Sequence, residues 1–109
     1  MSKDQNRTKG QVARQVADDT REKLAKKILD CETVFEAVSE AASKGFYGHR
    51  VRHPEYPFPL KDTKAAKHLL AKLRDHDFSI KWEAEQLSAE HPKNTSGGII
   101  EYEELVIYW

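Results

Sequence analysis

Apolar residues recur at three- and four-residue steps through the first forty positions: Val12, Val16, Leu24, Ile28, Cys31, Phe35 and Val38, interrupted around Asp19 and Thr20. That spacing predicts helix with one apolar stripe. Arg21, Glu22, Lys23, Lys26 and Lys27 lie between and read as a solvated face. Thr8, with Gln11 three residues on, forms a capping-box pattern at the start and leaves residues 1–8 as a polar tail. A second capping box, Thr33-Val34-Phe35-Glu36, with Asp30 just before it, predicts a break near residues 30–33. The helical region ends at Lys44-Gly45, where glycine takes the left-handed C-cap conformation and Phe46 can fold back on the last turn.

The periodicity then changes. Prolines at 54, 57 and 59 exclude helix over 46–61 and disfavour a central strand, so an extended aromatic loop is expected, with room for a short strand over 46–52. From Asp62, read as an N-cap, to about Arg74, Ala65, Ala66, Leu69, Leu70 and Leu73 make the buried face of a second helix. Phe78, Ile80, Trp82 and Ala84 alternate with Ser79, Lys81, Glu83 and Glu85, the signature of a half-buried strand. A polar loop with Pro92 and Gly97-Gly98 leads into 99–109. There Leu105, Ile107 and Trp109 face one way and Val106 and Tyr108 the other, as expected of a central strand. The expectation is one α+β domain: an N-terminal helical region, then a helix packed on a small antiparallel sheet. Phe35, Leu69, Leu73, Ile80, Trp82 and Ile107 are its expected core.

Composition narrows the class. The chain has 109 residues, 33% of them charged and 39% hydrophobic, which is a folded composition with one modest core. Cys31 is the single cysteine, which excludes an intrachain disulfide and fits a reducing compartment. No apolar run approaches the ~20 residues a membrane span needs, and residues 1–9 lack the apolar stretch of a signal peptide, so a cytoplasmic protein is expected. The net charge of zero conceals a division. Residues 44–74 carry 8 basic and 2 acidic side chains, whereas 75–109 carry 2 basic and 8 acidic. Either the two segments pack together and compensate, or the basic one attracts an anion or the acidic face of a second copy. Sequence-specific nucleic-acid binding is not expected, because the whole chain carries no basic excess.

No catalytic residue, cofactor or metal site is expected. Gly45 and Gly48 do not make a phosphate-binding loop. Cys31 sits on an apolar stripe and reads as an inert thiol. His49 and His53 are four apart, but Pro54 denies them a helical metal-binding geometry. Glu101, Glu103 and Glu104 read as a solvated strand edge rather than paired catalytic acids. The informative segment is 47–53, where two arginines and two histidines alternate with aromatic and aliphatic residues. Tyr47, His49, Arg50, Arg52, His53, Tyr56 and Trp82 are the candidate residues for an anion, nucleotide or acidic partner, since guanidinium groups suit phosphate or carboxylate and rings can stack on a base. The competing reading is structural, with the arginines paired to Glu83, Glu85 or the Glu101–Glu104 cluster.

Four segments carry a resemblance: Glu40-Ala41-Ala42-Ser43-Lys44-Gly45, the helix around Lys64-Ala65-Ala66, Leu69-Leu70 and Leu73, the turn Asp77-Phe78-Ser79-Ile80, and Val106-Ile107-Tyr108-Trp109. Together they resemble a loose group of small tailed-bacteriophage proteins with a charged N-terminal helix and a C-terminal strand ending in tryptophan. Asp77 stands where those proteins have glycine, and Tyr108 where they have a small polar residue. The resemblance implies a phage origin and an α+β fold, and it transfers no catalytic residue. The functional expectation is therefore a non-enzymatic accessory protein that binds a host protein or a small nucleotide signal of antiviral defence in the host cytoplasm, with self-association or a protein partner. A virion component, such as a minor capsid, neck or tail protein, is the alternative.

Overall fold

The computed structural model describes residues 8–92 and 94–109. Most of the expected polar tail, residues 1–7, lies outside the described residues. Helix α1 spans Lys9–Ile28, α2 Cys31–Ser43 and α3 Lys64–Asp75; strands are β1 Gly48–Val51, β2 Ser79–Leu87 and β3 Ile100–Tyr108. The fold is α+β, with a three-stranded antiparallel sheet in the order β1-β3-β2. As the two-sided apolar pattern required, β3 is the central strand.

Local chemistry sets the ends. The Thr8 side chain accepts from the Gln11 amide at 3.1 Å, and Gln11 returns the contact to the Thr8 amide at 2.9 Å, which completes the capping box. The break falls at Leu29-Asp30. Asp30, not Thr33, is the cap of α2, accepting from the Thr33 amide at 3.0 Å and from its hydroxyl at 2.9 Å. Gly45 takes φ 91°, with Phe46 N–H bonded to the Ala41 carbonyl, the bond that closes a Schellman turn. The cap of α3 is Thr63 rather than Asp62. Its hydroxyl accepts from the Ala66 amide and donates to the Leu60 carbonyl, so it fastens the helix start to the preceding loop.

One further contact departs from the expected solvated face of α1. The Glu22 carboxylate accepts from the amides of Lys64 at 2.9 Å and Ala65 at 3.1 Å, at the positive end of α3. Those amide bonds, the Lys64 one foremost, hold its pKa below the ordinary glutamate value.

The core joins Ala25 and Leu29 of α1, Val34 and Val38 of α2, Leu60 of the loop, and Ala66, Leu69 and Leu73 of α3 to Val51, Leu105 and Ile107 of the sheet. Leu69, Leu73 and Ile107 are fully buried as expected, whereas Phe35, Ile80 and Trp82 are half-buried around them. The first part of the predicted α1 stripe is not part of this core. Val12 is 39% and Val16 59% exposed. At about 100° per residue, Ala25 comes half a turn round the helix from Val16 nine positions earlier, so the two point to opposite sides.

Candidate functional site

Strand alternation decides which candidate residues can meet. Register pairs His49 with Ile107, Val51 with Leu105, and Leu105 in turn with Trp82, all on the helix-covered face. Gly48, Arg50, Glu104, Tyr102, Glu83 and Glu85 project from the opposite face. Trp82 and Arg50 therefore stand on opposite sides of the sheet and line no common recess.

On that opposite face, Glu83 and Glu104 are register partners, and like charges directly opposite are destabilising. Arg50 resolves this conflict. Its Nε donates to Glu104 Oε1 at 2.8 Å, its Nη1 to Glu83 Oε2 at 2.6 Å and its Nη2 to Glu85 Oε2 at 3.0 Å. The hydrogen bond to Glu104 is the first cause that raises the Arg50 pKa, with the three carboxylate charges adding to it and burial opposing. Glu104 has no exposed side-chain surface. Burial pushes its pKa up, but the Arg50 hydrogen bond, the His53 amide and nearby charge outweigh burial and hold it below the ordinary value.

The remaining candidates surround this cage. His53 is buried. Its amide donates to Glu104 Oε2 at 2.8 Å, its ring lies 5.3 Å from the Tyr102 ring, and its Nδ1 sits 3.0 Å from the Tyr56 carbonyl, which can only accept. Tyr102 donates to Glu104 Oε2 at 3.3 Å, and burial first, then the Glu104 charge, raises its pKa to about 12. Tyr56 is half-buried beside Phe58. Arg52 is different: its side chain is 65% exposed, and its Nε only reaches 4.0 Å from Glu104 Oε1. Lys81 pairs with Glu83 at 2.7 Å, and Lys61 with Glu103 at 3.8 Å.

The seven candidates thus fall into three groups. Arg50 and His53 belong to an internal network, Trp82 and Tyr56 are half-buried in packing, and Tyr47, His49 and Arg52 remain near the sheet edge. The basic middle segment and the acidic C-terminal segment do compensate, but chiefly through β1 rather than through α3. Among the described residues, no group of three or more His, Cys, Asp or Glu side chains is placed to hold a metal ion, and no helix is long and apolar enough to cross a membrane.

At the rim of β1 the candidate Tyr47 is joined by two aromatic residues that were not among the candidates, Phe46 and Tyr108. Phe46 is 61%, Tyr47 78% and Tyr108 40% exposed. Trp109 N–H donates to the Tyr47 carbonyl at 3.0 Å and Gly48 pairs with Tyr108, so all three residues lie at the end of the sheet where β1 begins and β3 ends, Phe46 on the α2 side and Tyr108 beside Lys81 on the Arg50 face. The sequence signal was the Phe46-Tyr47 pair directly after the Gly45 helix stop. Beside Phe46, a groove of about 350 Å³ runs between α2 and β1, lined by Ala37, Ala41, Phe46 and His49 and by the Glu40–Lys44 ion pair. In comparisons with protein-family models, curated proteins and solved structures, the chain matches none.

Proposed function

We propose that this chain is a non-enzymatic phage accessory protein that acts in the host cytoplasm by binding a host protein. The phage attribution rests on the resemblance of its helix, turn and C-terminal strand segments to small tailed-phage proteins. One observation carries the binding reading: Phe46, Tyr47 and Tyr108 stand in solvent at one end of the sheet. Exposed aromatic side chains at one end of a sheet are the usual anchors of protein interfaces, and Phe46 among them also lines the groove beside α2.

Between a host protein and a small nucleotide, the arrangement of Arg50 favours the protein. All three of its guanidinium nitrogens are occupied by carboxylates. A phosphate approaching Arg50 would meet the charges of Glu83 and Glu85 first. Self-association enters the proposal at α1, whose Val12 and Val16 face outward.

The test is to infect host cells with the phage carrying a tagged copy of the chain, and then to separate particles from lysate on a density gradient. The expected result is the chain in the lysate, in a stoichiometric complex with one host protein. The variant carrying Phe46→Ser and Tyr47→Ser should lose that complex and keep its melting temperature within a few degrees. Recovery in purified particles would make it a virion component instead, and a complex untouched by the double substitution would remove the aromatic rim from the reading.

A further inference from the structure

We infer that the free edge of β1 receives an extended acidic segment of the protein partner as a fourth strand, with one side of that segment seated in the groove beneath α2. This inference rests on the partner-binding reading and specifies its chemistry.

The backbone supplies the first argument. Among the described residues, strand order leaves one side of β1 unpaired. Trp109 N–H donates to the Tyr47 carbonyl, so Tyr47 turns its peptide groups toward β3. Antiparallel pairing alternates residue by residue, so His49 and Val51 do the same, and Gly48 and Arg50 turn their N–H and C=O groups to the outside. An incoming strand lies ≈ 4.8 Å outward of β1, and on the helix side the groove between α2 and β1 adjoins that edge through Gly48 and His49. Every second side chain of the added strand enters the groove. Ala37 and Ala41 leave room there for a branched aliphatic residue.

Charge supplies the second. No carboxylate occurs from residue 46 to residue 53, which carries Arg50, Arg52 and two histidines. Arg50 is satisfied within the chain, whereas Arg52 is 65% exposed and, among the described residues, the carboxylate it reaches, Glu104, is 4.0 Å away and already bonded to Arg50 and the His53 amide. An acidic side chain on the face of the added strand away from the helices completes the pairing of Arg52. A second copy of this chain fits poorly, because β1 against β1 brings no carboxylate to Arg52, there being none from residue 46 to residue 53. The outer edge of β2 carries Lys81, Glu83 and Glu85, mixed charges of the kind that blunt an edge against pairing.

The experiment measures fluorescence anisotropy with three labelled eight-residue peptides: alternating valine and glutamate, alternating valine and lysine, and the glutamate peptide N-methylated at alternate residues. The wild-type protein is expected to bind the first at least tenfold more tightly than either of the others. Gly48→Pro should impose a similar loss, and Arg52→Glu should reverse the preference between glutamate and lysine peptides. No binding of the glutamate peptide, equal binding of all three, or tolerance of N-methylation overturns strand addition, and the peptide comparison holds even if Gly48→Pro fails to fold. The host complex separates the two levels. If Arg52→Glu leaves it intact while the Phe46/Tyr47 variant abolishes it, strand addition fails and partner binding stands. If neither variant disturbs it, both fail.

Discussion

Glu83 and Glu104 face each other across neighbouring strands, and Arg50 is what makes that register tolerable. Removing it leaves Glu104 buried without its main partner. Arg50→Ala is therefore expected to cost about 3–5 kcal/mol, read by urea denaturation. Replacing Arg50 and Glu104 together by leucine should cost less than the sum of the single changes, because the stranded charge is removed with its partner. The same network sets the pH response. Glu104 is held below its ordinary value of 4.5, so the stability it contributes is present above that value and lost as pH falls through the lower folded pKa. Tyr102 is raised from 10.0 to about 12, so its neutral form stabilises the fold below pH 10 and that contribution is lost as pH rises toward 12. Denaturation across pH should show Tyr102→Phe flattening the alkaline limb, and Glu104→Gln flattening the acid limb and also weakening the alkaline one, because the Glu104 charge helps to raise the Tyr102 pKa. Asp77 offers a separate case. It holds φ 65° after α3, where Phe78 N–H reaches the Leu73 carbonyl in a Schellman turn. Glycine bears no side-chain penalty there, so Asp77→Gly should raise stability by about 1 kcal/mol, visible as a higher melting temperature.

Among the elements, α3 is the one whose face was set most directly by spacing. Ala66, Leu69 and Leu73 are buried at steps of three and four, and Lys64, Lys67 and Lys72 are exposed. Leu73 is fully buried, so Leu73→Ala should leave a cavity and cost about 2–5 kcal/mol by denaturant titration. α1 behaves as two halves. Its last two turns bury Ala25 and lead into buried Leu29, while residues 8–20 are exposed throughout. The change of side around Asp19 and Thr20 follows from helical geometry, since Val12 and Val16 are out of phase with Ala25. Glu22 ties the inner half to α3 through two amide bonds that no pattern within α1 could signal, because the partners are 42 and 43 residues away.

At the scale of the whole molecule, the opposite charges of residues 44–74 and 75–109 meet on the face of the sheet away from the helices, which is how a chain of zero net charge holds two strongly charged segments in one body. The radius of gyration is 16.6 Å, against about 13 Å for a compact domain of this length. The outer half of α1, free of the core, contributes to the excess. Small-angle scattering of the monomer should give a value near 16.6 Å. Val16→Glu should leave the melting temperature unchanged, because Val16 is exposed; if α1 mediates self-association, the same variant should lower the sedimentation coefficient.

The sequence by itself determined the element order, the Thr8 and Gly45 caps, the central place of β3 and the α+β class. Each depends on spacing or on a residue's own backbone preference, and both are local. It also offered Glu83, Glu85 and Glu104 as partners for the arginines, without deciding whether those pairs form. Only the tertiary structure decided that, because strand register fixes which side chains share a face, and register depends on how the whole sheet packs. Arg50 and Trp82 look like neighbours in a list of candidate residues, yet alternation along paired strands puts them on opposite sides. The exposed rings at the start of β1 were equally undecided, because an aromatic residue is core or surface according to what the rest of the chain brings to cover it.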